Sequence, residues 1–345
     1  MLALGLSSFA SFAQTLQTDQ FTALTPGDIS TTITGTPAGQ DSWFTFASNG
    51  TAPTTTTNSA TTNFQATVTG NPAAGLVITG PNGDKGSRYM WKDGLPTAWA
   101  ARTVGNDIIE LEVDINTGLA STSRNTFGVY IFDAAGTKVL AGFTVRAATK
   151  EIFLVAYSTP GANPVGNYTY SLAAAPGIQL PEDAWSRIGL SYNVVTGEVL
   201  LKGPGIDPLG VVVDGSAPGT GPAEVDIISF SGHVAATPNT SSASMTFDNL
   251  VVRASATDTL LGNDSFVSGD TTSIKMYPNP ATDVLNIQSA TEVLTKVSIT
   301  DLNGRVVKEA TNNLSQISLG NLAKGIYLVT IESATAKKVE KLIVE

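Results

Sequence analysis

Between residues 42 and 252, apolar and polar side chains alternate with the period of two that a half-buried strand requires, in short runs separated by clusters of Gly, Pro, Asn, Asp and Thr. The runs at 42–47, 63–68, 75–79, 107–116, 127–132, 139–146, 151–157, 168–172, 185–192, 198–202, 210–214, 225–231 and 244–252 read as strands. Helical periodicity does not recur among them. So many short strands predict an all-β domain of two facing antiparallel sheets, with residues 20–253 as one sandwich. The polar, unpatterned stretch at 51–58 reads as a long solvated loop. Beyond a polar linker at 254–272, a second β pattern occupies 273–345, with a strand at 284–288, two runs joined at Asn303-Gly304, and further runs at 325–331 and 337–344.

Composition narrows the classes open to these domains. The 345 residues include no cysteine, so a packed core must hold the fold without disulfides. The formal net charge of −10 lies almost wholly ahead of the C-terminal segment, and such a surface repels phosphate backbones; nucleic acid is not an expected partner. Leu2-Ala3-Leu4-Gly5-Leu6 is apolar and Ser11-Phe12-Ala13 has the form of a cleavage site, so residues 1–13 read as a signal peptide. The lack of a basic residue before that run leaves the position of the true start open. No uninterrupted apolar run is long enough to predict a transmembrane segment.

The C-terminal pattern carries a more specific signal. Met276-Tyr277-Pro278-Asn279-Pro280-Ala281 is followed by Asp283-Val284-Leu285-Asn286-Ile287, the Asn-Gly hairpin, Lys324-Gly325-Ile326-Tyr327-Leu328-Val329 and Lys337-Lys338-Val339-Glu340-Lys341-Leu342-Ile343. In this order and place, these segments resemble the type A C-terminal sorting domain of the type IX secretion system of Bacteroidetes. The resemblance covers about a fifth of the chain. It implies a small C-terminal β-sandwich recognised by the type IX translocon and its sortase, with Tyr277, Pro278, Asn279, Pro280, Gly304, Gly325 and Lys341 in the sorting signal. It also implies passage through the periplasm to the cell surface or the medium.

The middle domain carries a second resemblance. Pro181-Glu182-Asp183-Ala184-Trp185-Ser186-Arg187-Ile188-Gly189-Leu190-Ser191-Tyr192-Asn193, Thr196-Gly197-Glu198 and Met245-Thr246-Phe247-Asp248-Asn249-Leu250-Val251-Val252 are similar to segments of concanavalin A-like and laminin G-like jelly rolls. This implies a jelly-roll β-sandwich with Trp185 in its core and Asp248 as a ligand of structural calcium. Read from the residues alone, Asp248 makes an Asx turn or a bond to backbone.

Candidate chemistry is sparse. Glu110, Glu112 and Asp114 alternate with Ile109, Leu111, Val113 and Ile115, which puts three carboxylates on one face of one strand about 7 Å apart along the backbone. That spacing suits the acids of a glycosidase, and the pattern resembles the carboxylate-bearing strand of laminarinase-type glucanases, although the order here is Glu-x-Glu-x-Asp where theirs is Glu-x-Asp-x-(x)-Glu. A solvated acidic face is the plainer reading. His233 is the only histidine, which sets aside Ser-His-Asp, Cys-His and histidine- or cysteine-ligated zinc chemistry. Tyr89, Trp91 and Trp99, flanking Lys92-Asp93-Gly94, are the candidate ligand-binding rings. In the linker, the triplets beginning Asp258-Thr259, Asp264-Ser265 and Asp270-Thr271 are similar to periplasmic O-glycosylation sites of Bacteroidetes, with Thr259, Ser265 and Thr271 as acceptors.

Three readings follow for the middle domain. It binds polysaccharide or another extracellular polymer; or it is a glycoside hydrolase or lyase using Glu110, Glu112 and Asp114; or it is a structural or adhesive surface component. The first is the leading expectation, with no cofactor beyond structural calcium.

Overall fold

Every ladder formed by the period-two runs is antiparallel; short connections account for those between consecutive strands, and the others join strands distant in sequence. The computed structural model describes residues 13–71, 74–261, 274–289, 294–301, 305–333 and 337–344, and the chain divides into two units after Leu261.

The first unit contains β1 (Gln14–Asp19), β2 (Gly27–Asp28), β3 (Phe44–Ser48), β4 (Phe64–Thr67), β5 (Gly75–Thr79), β6 (Ser87–Trp91), α1 (Leu95–Ala100), β7 (Ile108–Asn116) and β8 (Thr126–Phe132). It continues with β9 (Val139–Arg146), β10 (Ile152–Ser158), β11 (Gly166–Ser171), β12 (Trp185–Asn193), β13 (Glu198–Lys202), β14 (Val211–Asp214), β15 (Glu224–Phe230) and β16 (Ser244–Ser255). One sheet runs β14-β13-β12-β7-β16-β5-β4-β2, with β1 also on β16; the other runs β11-β10-β9-β8-β15-β6-β3. β16 is long enough to be shared, pairing β5 through Ser244–Phe247 and β1 through Leu250–Ala254.

The sheets close on one core to which each strand gives alternate side chains: Ile109, Leu111, Val113 and Ile115 from β7, Phe127, Val129 and Ile131 from β8, and Val225 and Ile227 from β15. Burying each such side chain stabilises the fold by about 1.5–3 kcal/mol. This is the sandwich of two facing antiparallel sheets that the strand pattern predicts, and the jelly-roll class that the resemblance implies.

Several local expectations fail. The sandwich begins ahead of residue 20, since Gln14–Asp19 is a strand whose Asp19 accepts from Trp43 Nε1 at 2.8 Å and pairs with Lys92 at 2.7 Å. Residues 95–100 form a single helical segment, with Leu95 and Trp99 four apart and both buried; it is too short for its period to register in the sequence. The stretch 51–58 is anchored, with Thr54 Oγ1 and Thr55 N donating to Asp84 Oδ1 at 2.9 and 2.8 Å and Thr56 buried. Trp185 is half-buried on the outer face of its sheet and lies outside the core.

In the second unit β17 (Ile274–Tyr277), β18 (Val284–Ser289) and β21 (Gln316–Ser318) form one sheet, and β20 (Val306–Ala310), β19 (Leu294–Asp301), β22 (Gly325–Ser333) and β23 (Lys337–Val344) the other. Leu285, Ile287, Val297, Ile299, Val329, Ile331 and Leu342 are among the side chains packed between them. Among the described residues, no helix is long and apolar enough to cross a membrane.

Candidate functional site

The carboxylate row of β7 is on one face, as its period requires, but that face is neither solvated nor a cleft. Glu110 is fully buried, and Glu112 and Asp114 nearly so. Arg187 of β12 donates through Nη2 to Glu112 Oε2 and through Nη1 to Asp114 Oδ1, each at 3.2 Å. Arg253 of β16 pairs with Glu112 Oε1. Residues 256–261 fold back over the row, and Thr259 donates its N–H to Glu110 Oε1 at 2.5 Å and its hydroxyl to Glu110 Oε2. Burial pushes the Glu110 carboxyl up, against the lowering effect of the Thr259 bonds and Arg253. Asn71 and Asn249 donate through Nδ2 to Asp114 Oδ2 at 3.0 and 2.7 Å. These acids are tied to cations and amides within the fold, so neither the solvated-face reading nor an acid pair open to a glycosidic bond describes them.

The same contacts revise two neighbouring assignments. Asp248, directly opposite Asp114, accepts from Asn71 N through Oδ2 at 2.5 Å and from Asn249 N through Oδ1 at 2.6 Å. Burial raises its carboxyl to about 6. Both oxygens thus accept from backbone N–H groups, the bond to backbone read from the residues alone. Among the described residues, no group of three or more His, Cys, Asp or Glu side chains is arranged to hold a metal. Thr259 belongs to the docked segment rather than to a free linker, and its bonded hydroxyl is not the exposed acceptor that the triplet predicts. Ser265 and Thr271 lie outside the described residues.

The candidate site is on the opposite sheet. The side chains of β15 alternate, so Val225, Ile227 and Ser229 enter the core while Glu224, Asp226 and Phe230 face out. In register with them on β8 are Phe132, Tyr130 and Thr126; across β6, Trp91 stands opposite Asp226 and Ser87 opposite Phe230. Tyr89 and Phe46 continue the face through β6 and β3, and Thr144, Arg146, Phe153 and Val155 through β9 and β10. The rings touch in series: Phe46–Tyr89 at 6.2 Å, Tyr89–Phe230 at 5.6 Å, Phe230–Tyr130 at 6.0 Å and Tyr130–Phe132 at 5.7 Å between centroids. Gly142 makes room for the Tyr130 ring, because a Cβ there would lie 2.4 Å from it.

Two grooves adjoin along this face and share Tyr130, Thr169 and Phe230. The larger, of about 480 Å³, holds Tyr89, Phe132, Glu224 and Asp226. The other, of about 320 Å³, holds Arg124, Arg146, Phe153 and His233. His233 Nδ1 accepts from Asn239 N at 3.1 Å, which leaves Nε2 as the position for its proton. Burial pushes the Tyr130 and Tyr89 phenols up, with Asp226 adding to the effect on Tyr89.

Of the three predicted rings, only Tyr89 lines the groove. Trp91 shares its face but is half-buried and stacks on Phe44 at 5.5 Å. Trp99 is 7% exposed, turned inward by α1 with the Arg102 guanidinium 4.1 Å over its ring, and is no platform for a ligand. Tyr130, Phe132 and Phe230 escape a reading by alternation. The signal that Tyr130 and Phe132 left is their strand, Thr126–Phe132, which is aromatic or aliphatic at both parities and so apolar on both faces.

In the second unit Tyr277, Pro278, Asn279 and Pro280 are exposed. Asn279 pairs with β23 as a strand residue would: Nδ2 donates to Lys341 O at 2.6 Å and Oδ1 accepts from Ile343 N at 3.0 Å. Gly325 opens β22 opposite Val344. Gly304 lies outside the described residues.

Residues 275–345 match the model of the secretion system C-terminal sorting domain, which makes the second unit a type IX sorting domain and implies export to the surface or beyond. No curated protein matches the chain. Among solved structures, the PL-14 alginate lyase of Aplysia kurodai aligns at 9% identity and a TM-score of 0.38, covering 56% of this chain and 87% of that one. The alginate lyase vAL-1 of a Chlorella virus aligns at 13% and 0.35, covering 62% and 94%. A botulinum neurotoxin type C structure, described as dependent on two ganglioside molecules for cell entry, aligns at 10% and 0.36, covering 86% and 68%.

Proposed function

We propose that the protein is an exported polymer-binding protein whose sandwich holds polysaccharide along the outer face of the seven-stranded sheet. The observation that carries this reading is the unbroken series of rings from Phe46 to Phe132 beside a groove with polar edges. Sugar rings present flat apolar faces bordered by hydroxyls, and such a floor matches both features. From β6 to β11 the face spans about 24 Å at ordinary strand spacing, enough for an extended chain and not only a single ring.

The test is a glycan-array and affinity-gel comparison of the full chain with Phe46→Ala and Tyr89→Ala. Phe46 is an exposed ring at the end of the series, so its loss spares the core. Each truncation is expected to weaken binding about tenfold, the effect of removing one aromatic contact worth about 1.4 kcal/mol. Retention of wild-type affinity by both variants would remove this face as the binding surface.

A further inference from the structure

Asp226 differs from the other buried acids of the sandwich. Asp19 has Lys92 and Trp43; Glu110, Glu112 and Asp114 have arginines and amides; Asp133 accepts from Thr137 N and Lys138 N; Asp248 accepts from two backbone amides. Asp226 is 4% exposed and lines the larger groove, yet its Oδ1 has no hydrogen-bond partner. Its neighbour is another acid, Glu224, two residues along the same face, with Asp93 adding further negative charge near Glu224. Among the described residues, no lysine or arginine pairs with either carboxyl. The groups facing the pair from the strands on either side are Tyr89 and Trp91 on β6 and Tyr130 and Phe132 on β8, all of them aromatic.

A carboxylate held out of water costs several kcal/mol unless a counter-charge or donors compensate it. Burial pushes both carboxyls up, Glu224 raises Asp226 further, and Asp93 raises Glu224 against the lowering effect of its bond with Asp226, so that the pair retains a proton between them. One negative charge and one free acceptor then remain at the floor of an aromatic box. A hard divalent cation needs about six oxygens, and the ring faces around the pair supply none. A neutral hydroxyl could bond Oδ1 but leaves the charge uncompensated. An ammonium group satisfies every feature at once: its N–H donates to Oδ1, its charge offsets the pair, and its carbon stem and remaining hydrogens lie against ring faces that attract cations.

We propose that the groove over Glu224 and Asp226 recognises the protonated amine of a free amino sugar within a polymer, with Tyr89, Tyr130, Phe132 and Phe230 as its cage. This rests on the polysaccharide reading of the face. The flat, multi-strand extent of the ring series favours a sugar chain over a lysine side chain, which would need only the box.

The experiment measures, by titration calorimetry on the full chain, affinity for a glucosamine oligomer, its fully N-acetylated counterpart and an oligolysine of similar length. The amine oligomer is expected to bind at least tenfold more tightly than the acetylated one and more tightly than oligolysine. Asp226→Asn keeps the shape and the contact with Glu224, and should reduce the amine-to-acetyl ratio to under twofold. Its thermal midpoint should hold or rise, since a buried acceptor without a cation is neutralised; Glu224→Gln should reduce the ratio in the same way. Equal binding of both oligomers, or a ratio unchanged in both variants, overturns the ammonium site while leaving polysaccharide binding intact. Binding of neither oligomer overturns the polysaccharide reading as well, and a preference for oligolysine overturns the sugar assignment.

Discussion

Removal of residues 275–345 is expected to leave the protein in the periplasm, with little or none at the cell surface or in the medium. Those residues match the sorting domain and fold as a unit with its own core, so their loss should not disturb the sandwich before it. Immunoblotting of fractionated cells measures the outcome; normal surface or medium levels of the truncated chain would show that another signal directs export. A finer version uses Asn279→Ala, which deletes two bonds to β23 and should destabilise this unit by about 1–2 kcal/mol. Export of that variant should fall without being abolished.

Replacing Glu112 by alanine should destabilise the sandwich strongly for a change at a charged residue. Its carboxylate lies between Arg187 and Arg253, so truncation leaves two partly buried cations without their shared partner. Breaking such a network by one member costs about 3 kcal/mol, which for a unit of this size lowers the melting midpoint by on the order of 6–10 °C. Glu198, exposed on β13, is the control: Glu198→Ala should change stability by less than about 0.5 kcal/mol. Thermal melts of the two variants decide the matter. A midpoint for Glu112→Ala within a degree of wild type would mean that the arginines find other partners and that the row is dispensable.

That prediction reverses what the strand pattern of β7 suggests by itself. Alternation assigns Glu110, Glu112 and Asp114 to one face, and they do share one. It cannot say that Arg187 and Arg253 come alongside from strands 73 and 141 residues away, or that residues 256–261 return to cover them. Charge on an alternating strand normally means water, because solvation is the cheapest way to keep a carboxylate ionised; here long-range pairing replaces it.

Local chemistry determined a good deal of this protein. The strands from β3 to β5 and from β7 to β16, the sandwich they form and the sorting domain at the C-terminus follow from period-two alternation, turn residues and an ordered set of motifs, all of which act over a few residues. Tyr89 was legible as a ring near a turn, whereas Trp99 was not distinguishable from it until a six-residue helix turned it inward. The groove itself was decided only by tertiary structure. Tyr130, Phe230 and Asp226 come from β8 and β15, which are distant in sequence, and their shared outer face exists only because β15 pairs with both β8 and β6. Strand pairing between distant segments is set by the total burial of the two sheets, so no single strand's pattern encodes it.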